Sequence, residues 1–533
     1  MKTGKLLKLF ICVSFLILAS SCNKQSASSS SESQYLRLNL QDGDLHTLNP
    51  QMTVSLTGRS LLSCLFEGLT RADQNGTLQP AAASHIDISS DGCVYTFTLR
   101  PHYWSNNEMV KASHFESAWK KALHPQSKSL RAEFFYIIKN AEAAKKNLVS
   151  LDEIGVKAID DKTLRVELEH PAPYFLDLCA SIFYYPLFNN EDEPTIFNGP
   201  YVLANWEKEK HLQFIANTNY WDKEHVHLQG LDISIVKDGA TALAMYEKGE
   251  LDMVGDPFSP LPIEYMIMHR TGGDLKTKEV ARIHGLFCNT EKPILRSANF
   301  RKALSLCIDR NALTEFVFPN QIPSISPLPN CLSLLTLEEK NGSENCEQAR
   351  ILLQKALTEY GETTETLPAL ILDYVQTGRE KALAEALQQQ WEKELGIKVE
   401  LSCSELAVHL SNLKSRNFQL GTLYRSSVYN DPMFFLEIHR AKTQTANYSS
   451  WENSRYTKLL DTIKETADPE LRRTKLKEAE LLLINETPLI PLFSHNYQYL
   501  LNEKVKNLYI SHLGYVDFKE TYIESNKDSN LLK

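Results

Sequence analysis

Residues 91–107 read DGCVYTFTLRPHYWSNN, a pattern in which one strand lies between two turns. Asp91-Gly92 is a turn pair, and polar and apolar side chains then alternate from Val94 to Leu99. Such alternation is typical of a strand with one buried face. Trp104-Ser105 is followed by Asn106-Asn107, and asparagine tolerates the left-handed backbone of a tight turn. The stretch therefore predicts a turn, a strand and a second turn.

Strand and helix patterns both continue along the chain. Alternation predicts a second strand over 164–168, and apolar residues at every fourth position predict a helix over 383–395. Gly396 would end that helix, and 397–401 has the pattern of a strand. Asp468-Pro469 predicts another helix start, with aspartate as the cap and proline in the first turn. The chain is therefore predicted to be an α/β protein.

The N-terminus predicts export. Lysines precede an apolar run over 9–18, which is too short to span a bilayer, and small residues lead to Cys22. Residues 1–21 are therefore interpreted as a signal peptide. Cys22 resembles the acylated cysteine of a bacterial lipobox, which predicts a lipidated Cys22 and a flexible polar tether over 22–34. The alternative is an ordinary cleaved signal, with no special role for Cys22.

Length and composition restrict the class of protein. The chain has 533 residues, which is more than one hydrophobic core usually supports, so two or more lobes are expected. Its net charge of −9 argues against nucleic acid as a partner. The ten cysteines are scattered without metal-type spacing, and no dinucleotide or P-loop fingerprint is present. The sequence predicts no cofactor and no metal site.

Short motifs in a fixed order carry a family resemblance. They are LFEGLT at 65–70, the stretch 91–107, GVKAIDDKTL at 155–164, PAPYF at 171–175, NGPY at 198–201, NYW at 219–221, GELDM at 249–253, FRKAL at 300–304 and YNDP at 429–432. Together they resemble the family-5 extracellular solute-binding proteins, in particular the oligopeptide branch. One departure is His114, where the family has an aspartate.

The resemblance implies an α/β fold of the periplasmic-binding-protein type II. Two lobes face each other across a cleft, are joined by two crossing strands and close by hinge motion, and an extra α/β lobe is added. The expected division places lobe I at 35–65, 190–287 and 498–525, the extra lobe II at 66–189 and lobe III at 288–497. A peptide ligand would lie extended in the cleft and pair with both sides as an added strand.

Two segments are expected to contact the ligand backbone. The first follows the Leu48-Asn49-Pro50 turn, and its alternative interpretation is an ordinary strand at a sheet edge. The second precedes the YNDP motif. The candidate contact residues are Val54, Ser55 and Leu56 in the first segment and Arg425, Ser426 and Ser427 in the second.

Residues that hold the ligand's ends in the oligopeptide branch are changed here. Val428 stands where the branch carries an aspartate that pairs with the α-amino group, and Phe318 stands where it carries a lysine. Arg379 stands at a histidine position and is either a carboxylate ligand or a solvated residue in the first turn of a helix. Because a buried ammonium needs a counter-charge, these changes favour a ligand other than a simple free-ended peptide, or ligand ends that are held by different groups.

The function predicted from the sequence is peptide capture for an ABC importer. The expected partners are short peptides, permease subunits in the cytoplasmic membrane, and the lipid bilayer through N-terminal acylation of a monomer that faces the periplasm or cell exterior. The alternative is the same fold binding a cell-wall muropeptide, a metallophore or a signalling peptide. An exported hydrolase is a third hypothesis, but no nucleophile motif supports it, so the chain is predicted not to be an enzyme.

Overall fold

The computed structural model describes residues 34–525 apart from 54, 130, 270–272, 341–344 and 467. The signal peptide, Cys22 and nearly all of the tether lie outside the described residues. Within the described part of the chain, no helix has both the length and the apolar character needed to cross a membrane.

Strands and helices alternate through the chain. The strands are β1 (Tyr35–Asn39), β2 (Thr70–Ala72), β3 (Leu78–Pro80), β4 (Ala83–Ile88), β5 (Val94–Leu99), β6 (Val156–Ala158), β7 (Thr163–Glu167), β8 (Tyr201–Glu207), β9 (His211–Ala216), β10 (Gly230–Ser234), β11 (Met253–Gly255), β12 (Lys276–Cys288), β13 (Ile322–Pro323), β14 (Leu370–Val375), β15 (Val399–Ser404), β16 (Leu420–Ser426), β17 (Leu489–Leu501), β18 (Val505–Lys506), β19 (Tyr509–Ile510), β20 (Val516–Asp517) and β21 (Tyr522–Ile523). The helices are α1 (Leu56–Leu65), α2 (Ala112–Leu123), α3 (Ala141–Lys145), α4 (Phe175–Ala180), α5 (Gly239–Glu247), α6 (Ile263–Met268), α7 (Ala298–Leu306), α8 (Arg310–Ala312), α9 (Leu337–Lys340), α10 (Cys346–Tyr360), α11 (Gly378–Leu395), α12 (Leu406–Ser415), α13 (Met433–Leu436), α14 (Ser454–Glu465) and α15 (Pro469–Glu486).

Three sheets organise these elements. The first has the order β1-β10-β9-β8, and the second has the order β4-β5-β7-β6. The largest has the order β11-β17-β12-β16-β14-β15, with β13 added on β17. Its long strands β12 and β17 come from distant parts of the sequence and run antiparallel side by side. The predicted lobe boundary between residues 287 and 288 falls inside β12, and the division of the chain into lobes stays a prediction.

Local sequence signals predicted several elements correctly. The strands predicted over 94–99 and 164–168 are observed as β5 and β7. The helix predicted over 383–395 is α11, and Gly396, which follows its last residue, has a left-handed backbone (φ +67°). Asp468 caps α15 by accepting a hydrogen bond from the N–H of Glu470 at 2.9 Å, with proline in the first turn. Asn107 has φ +70°, so the second turn of the opening stretch forms without a glycine.

His114 takes the place of the family's aspartate at the start of α2. Its Nδ1 faces the N–H of Lys111 at 3.0 Å and the indole N–H of Trp104 at 3.1 Å. Burial lowers the pKa of His114, which favours the neutral ring that can accept a hydrogen bond. The start of this helix is therefore still capped by a side chain.

A buried ion network joins early residues to the C-terminal segment. The Arg71 guanidinium lies 2.7 Å from Asp517 and 3.1 Å from Glu67, and the hydroxyl of Tyr220 donates to Glu67. Burial alone would raise the pKa of Asp517, but the charge and hydrogen bonds of Arg71 outweigh it and hold this pKa below its ordinary value. The network therefore fastens β2, and the connection that precedes it, to β20.

Replacing Asp517 by asparagine is expected to destabilise the protein strongly, because Arg71 is then left with less counter-charge in a buried site. Removing one partner of a buried ion pair costs about 3–5 kcal/mol. The free energy of unfolding at pH 7, from denaturant titration, measures this loss. Because the folded-state pKa of Asp517 is lowered, its stabilisation is complete above the unfolded-state pKa and is lost as pH falls through the folded-state pKa. The difference between wild type and variant should therefore shrink in acid.

Glu142→Gln is the matched control. It breaks an exposed ion pair in which the Glu142 carboxylate lies 2.7 Å from the Lys146 ammonium, four residues further along the chain. An equal loss of stability in the two variants would contradict a special role for the buried network.

Candidate functional site

The candidate site is an open strand edge inside the largest sheet. β16 pairs with β12 along its whole length, from Leu420 to Ser426. On its other side it pairs with β14 only at Leu420 and Gly421. From residue 422 onward this side of β16 has no neighbouring strand among the described residues.

The hydrogen-bond alternation of β16 shows which main-chain groups face that open edge. Ser427 N donates to the carbonyl of Ala281 at 2.8 Å, and Asn289 N donates to that of Gln419 at 2.9 Å. In an antiparallel pair the bonded residues alternate, so the odd-numbered residues of β16 bond to β12. The N–H and C=O groups of Tyr424 and Ser426 therefore point to the open edge.

The open edge begins just beyond Thr422, whose carbonyl already accepts a hydrogen bond. The carbonyl of Thr422 accepts a hydrogen bond from Nε2 of buried His409 at 2.7 Å. An extended segment placed on the edge would therefore pair with Tyr424 and Ser426, in the manner of strand addition.

One face of the sheet beside this edge is cationic and aromatic. Arg282 Nε donates to Ser426 Oγ at 2.8 Å, and its guanidinium lies 4.8 Å from the Tyr424 ring and 5.8 Å from the Tyr497 ring. Tyr424 is 50% exposed, which is unusual for a large aromatic residue in the interior of a sheet. These side chains leave a ring surface and a charge available next to the free main-chain groups.

An aromatic and histidine cluster continues from this face. The Phe318 and Phe493 rings lie 4.8 Å apart, and His284 lies 4.9 Å from Phe493. Nε2 of His284 is 3.4 Å from Glu380. Burial lowers the pKa of His495, and the charges of Arg282 and other cations lower it further, so this ring is neutral at pH 7. At the position where the family resemblance leads one to expect a lysine, Phe318 contributes an aromatic ring to this cluster.

The first predicted contact segment differs from the expectation. Val54 lies outside the described residues. Ser55 is exposed and caps α1, with its Oγ accepting from the N–H of Gly58 at 2.9 Å. Leu56 is the first residue of α1, so the predicted strand is wrong at this position, because the serine cap starts a helix there. Ligand contact by these residues stays a prediction.

Arg379 is half-buried rather than a solvated helix residue. It lies in the first turn of α11, and Nη2 donates to the carbonyl of Leu261 at 3.4 Å. Burial lowers the pKa of Arg379, while the nearby carboxylates of Asp256 and Glu264 oppose that shift. The guanidinium therefore reaches across to the segment after β11.

In the second segment, only part of the predicted set has free main-chain groups. The backbone groups of Arg425 and the N–H of Ser427 are used by the ladder with β12, and Ser427 Oγ donates to the carbonyl of Tyr429 at 2.6 Å. Ser426 faces the open edge, as does Tyr424, which sequence reasoning missed. The alternation of the strand contained this information, but the end of β14 could not be located from sequence.

Val428 lies in an apolar environment. It is 5% exposed and belongs to the same buried cluster as Tyr497. The nearest acid in the sequence, Asp431, forms an ion pair of 2.9 Å with Arg472 and also accepts from the N–H of Met433 at 2.9 Å. Asp431 is therefore already committed and does not supply the charge that Val428 lacks.

Comparison with known proteins identifies the class. The family model described as bacterial extracellular solute-binding proteins, family 5 middle, matches residues 77–447. The chain is 33% identical over 495 residues to the oligopeptide-binding protein OppA of Bacillus subtilis (strain 168), covering 90% of this chain and 91% of that protein. It is 31% identical over 476 residues to the dipeptide-binding protein DppE of the same organism, with 86% of each covered. This chain belongs to the family-5 bacterial extracellular solute-binding proteins.

A solved structure agrees with this assignment. The structure of the Escherichia coli murein tripeptide binding protein MppA superposes with a TM-score of 0.79 at 25% sequence identity. The match covers 93% of this chain and 99% of that protein. The predicted type II binding-protein fold is therefore confirmed.

Proposed function

We propose that this protein captures short peptides outside the cytoplasmic membrane and delivers them to an ABC permease. The observation that carries the proposal is the open edge of β16, where the main-chain groups of Tyr424 and Ser426 face away from β12. An extended peptide supplies the complementary N–H and C=O groups. The names of the relatives from Bacillus subtilis support the same ligand class. The proposal assigns no catalytic step to the chain.

Main-chain pairing accounts for broad selection among peptides. Every peptide carries the same backbone donors and acceptors, so pairing with Tyr424 and Ser426 does not depend on side-chain identity. Closure of the lobes would cover the ligand and exclude water from these hydrogen bonds.

A second candidate ligand is a cell-wall peptide. Val428 supplies no charge for an α-amino group, Asp431 is held by Arg472, and Phe318 supplies no cation. A murein-derived peptide carries additional carboxylates and unusual linkages, and the structural similarity to the murein tripeptide binding protein supports this alternative.

Mass spectrometry of the natively purified protein, followed by release and sequencing of the bound molecules, separates the two candidates. A set of unrelated short peptides is expected for a general peptide carrier, and a single modified peptide is expected for the second candidate. Release of only non-peptide molecules would contradict both.

Ser426→Pro tests the strand edge directly. Proline removes the N–H of residue 426, which faces the open edge, and proline is tolerated where the N–H is not used by a ladder. Loss of one hydrogen bond to the ligand should weaken binding of a short peptide by about 2- to 10-fold. Isothermal titration calorimetry of the purified protein measures the change.

Ser426→Ala is the matched control for this experiment. It removes the hydroxyl that accepts from Arg282 but keeps the main-chain N–H, so affinity should fall less than in Ser426→Pro. Equal affinities of the two variants would show that the ligand does not pair with this edge.

The proposal also includes anchoring of a monomeric lipoprotein through Cys22. Cys22→Ser is expected to move the protein from the detergent phase to the aqueous phase in Triton X-114 partitioning, because the acylated residue is lost. Labelling with a palmitate analogue should disappear in parallel. Unchanged partitioning of this variant would leave Cys22 without the proposed role.

A further inference from the structure

Three arginines from distant parts of the chain have the same unusual environment. Arg59 lies in α1, Arg131 precedes the 3-10 turn Ala132–Phe135, and Arg425 lies on β16. In each, the Nε–H is buried and has no acceptor among the described residues. A guanidinium has five donors and requires acceptors when it leaves water. Each of these side chains is only partly buried, and the buried Nε–H of each lacks an acceptor among the described residues.

Two of these guanidinium groups lie on one aromatic pair. Arg59 is 5.2 Å from the centroid of Phe183, and Arg131 is 5.9 Å from that of Phe134. The two phenyl rings are 5.3 Å apart. The rings hold the positions of both cations by cation–π contact, but they supply no negative charge.

Arg425, on β16, is the third cation. Its guanidinium is 6.0 Å from the Tyr448 ring. Burial lowers the pKa of Arg425, the charge and hydrogen bond of Tyr448 oppose that shift, and the charge of Arg131 lowers the pKa further. Burial, followed by the charge of Arg131, lowers the pKa of Arg59 to about 10, so Arg59 is still protonated at pH 7. Arg131 thus lies close enough to act on both of the other cations.

The protein supplies little negative charge near these three arginines. Among the described residues, no carboxylate contributes to the pKa shift of Arg59 or of Arg425. Glu133 lies 3.7 Å from Arg131, and because the side chains of Arg131 and Glu133 are 32% and 52% exposed, solvent screens this ion pair. Buried His439 does not help, since burial and the charge of Arg425 lower its pKa to about 3 and leave it neutral. Arg59 and Arg425 therefore have little compensating charge, and Arg131 has one screened ion pair.

Such an arrangement is unfavourable without an anion from outside the chain. Desolvation penalises Arg59 and Arg425, and repulsion from Arg131 adds to that penalty. A carboxylate placed among the three groups would accept two or more charge-assisted hydrogen bonds and relieve the repulsion. Arg425 lies between Tyr424 and Ser426 on the strand whose edge is open, and its side chain is on the opposite face of the sheet from theirs. A ligand strand on that edge would direct every second side chain to the Arg425 face.

We infer that Arg59, Arg131 and Arg425 form a carboxylate-binding site that selects peptides carrying an acidic group in addition to the C-terminal carboxylate. The inference rests on the proposed function, because the anion is supplied by a peptide bound at the β16 edge. The ordinary C-terminal carboxylate is present in every free peptide, so only the additional acid discriminates among ligands.

Matched tripeptides test this selection by calorimetry on the purified protein. The set contains Ala-Ala-Ala with glutamate at each position in turn, and the corresponding glutamine peptides. At least one glutamate peptide is expected to bind about ten-fold more tightly than its glutamine match, because the two differ only in charge. The advantage should decrease as salt concentration rises.

Arg59→Gln, Arg131→Gln and Arg425→Gln locate the effect. Each is expected to weaken binding of the glutamate peptide more than binding of its glutamine match, so that most of the glutamate advantage is lost. Arg455→Gln is the matched control, since this exposed residue of α14 gives the same change in net charge. Without ligand, the three variants should melt at or above the wild-type temperature, because each removes repulsion between neighbouring cations.

The outcomes separate the two levels of the proposal. Failure of the wild type to bind any tripeptide of either series would overturn the peptide-binding function itself. Binding of both series with equal affinity would leave that function standing and overturn the carboxylate site. A glutamate advantage that survives in all three variants, or melting temperatures well below wild type, would also overturn the assignment of these arginines.

Discussion

The antiparallel pairing of β12 with β17 is the constraint on which the rest of the structure depends. The two strands run side by side over nearly their full lengths, and β16 is placed by its own pairing with β12. Gly285 is required in this arrangement, because a Cβ there would lie 2.8 Å from the carbonyl oxygen of Ile490. The same ladder fixes the side-chain alternation that puts Arg282 and His284 on one face with Tyr424. A one-residue slip would move all of these groups to the other side of the sheet.

Arginine side chains in this molecule occur in two contrasting environments. Around Arg71, a carboxylate lies on each side and every charge has a close partner, as expected for a group whose task is to hold segments together. Around Arg59 and Arg425, the described residues supply rings and other cations instead. Because partly buried cations without carboxylate partners are costly, their presence beside an unpaired strand edge is better explained by ligand binding than by stability. The contrast is informative because both environments occur in one chain.

Local signals in the sequence predicted much of the fold but only part of the site. Turn pairs, strand alternation and the Asp468-Pro469 cap act over a few residues, so the elements they define could be placed correctly. The start of α1 was not predicted, because a serine such as Ser55 is compatible both with a strand and with a helix cap. Tyr424 could not be selected, because its exposure depends on where β14 leaves β16, a property of three segments separated by many residues. Arg59 and Arg131 could not be grouped for the same reason, since their neighbours come from segments that are far apart in the sequence.

The two parts of the site would select ligands by different physical means. Main-chain pairing at Tyr424 and Ser426 is the same for all peptides, so it supplies affinity without discriminating among sequences. Charge at the arginine group is also indifferent to side-chain shape, but it depends on the number of carboxylates that a ligand brings. A cleft that combines them would accept many sequences within one charge class rather than a single sequence or every peptide.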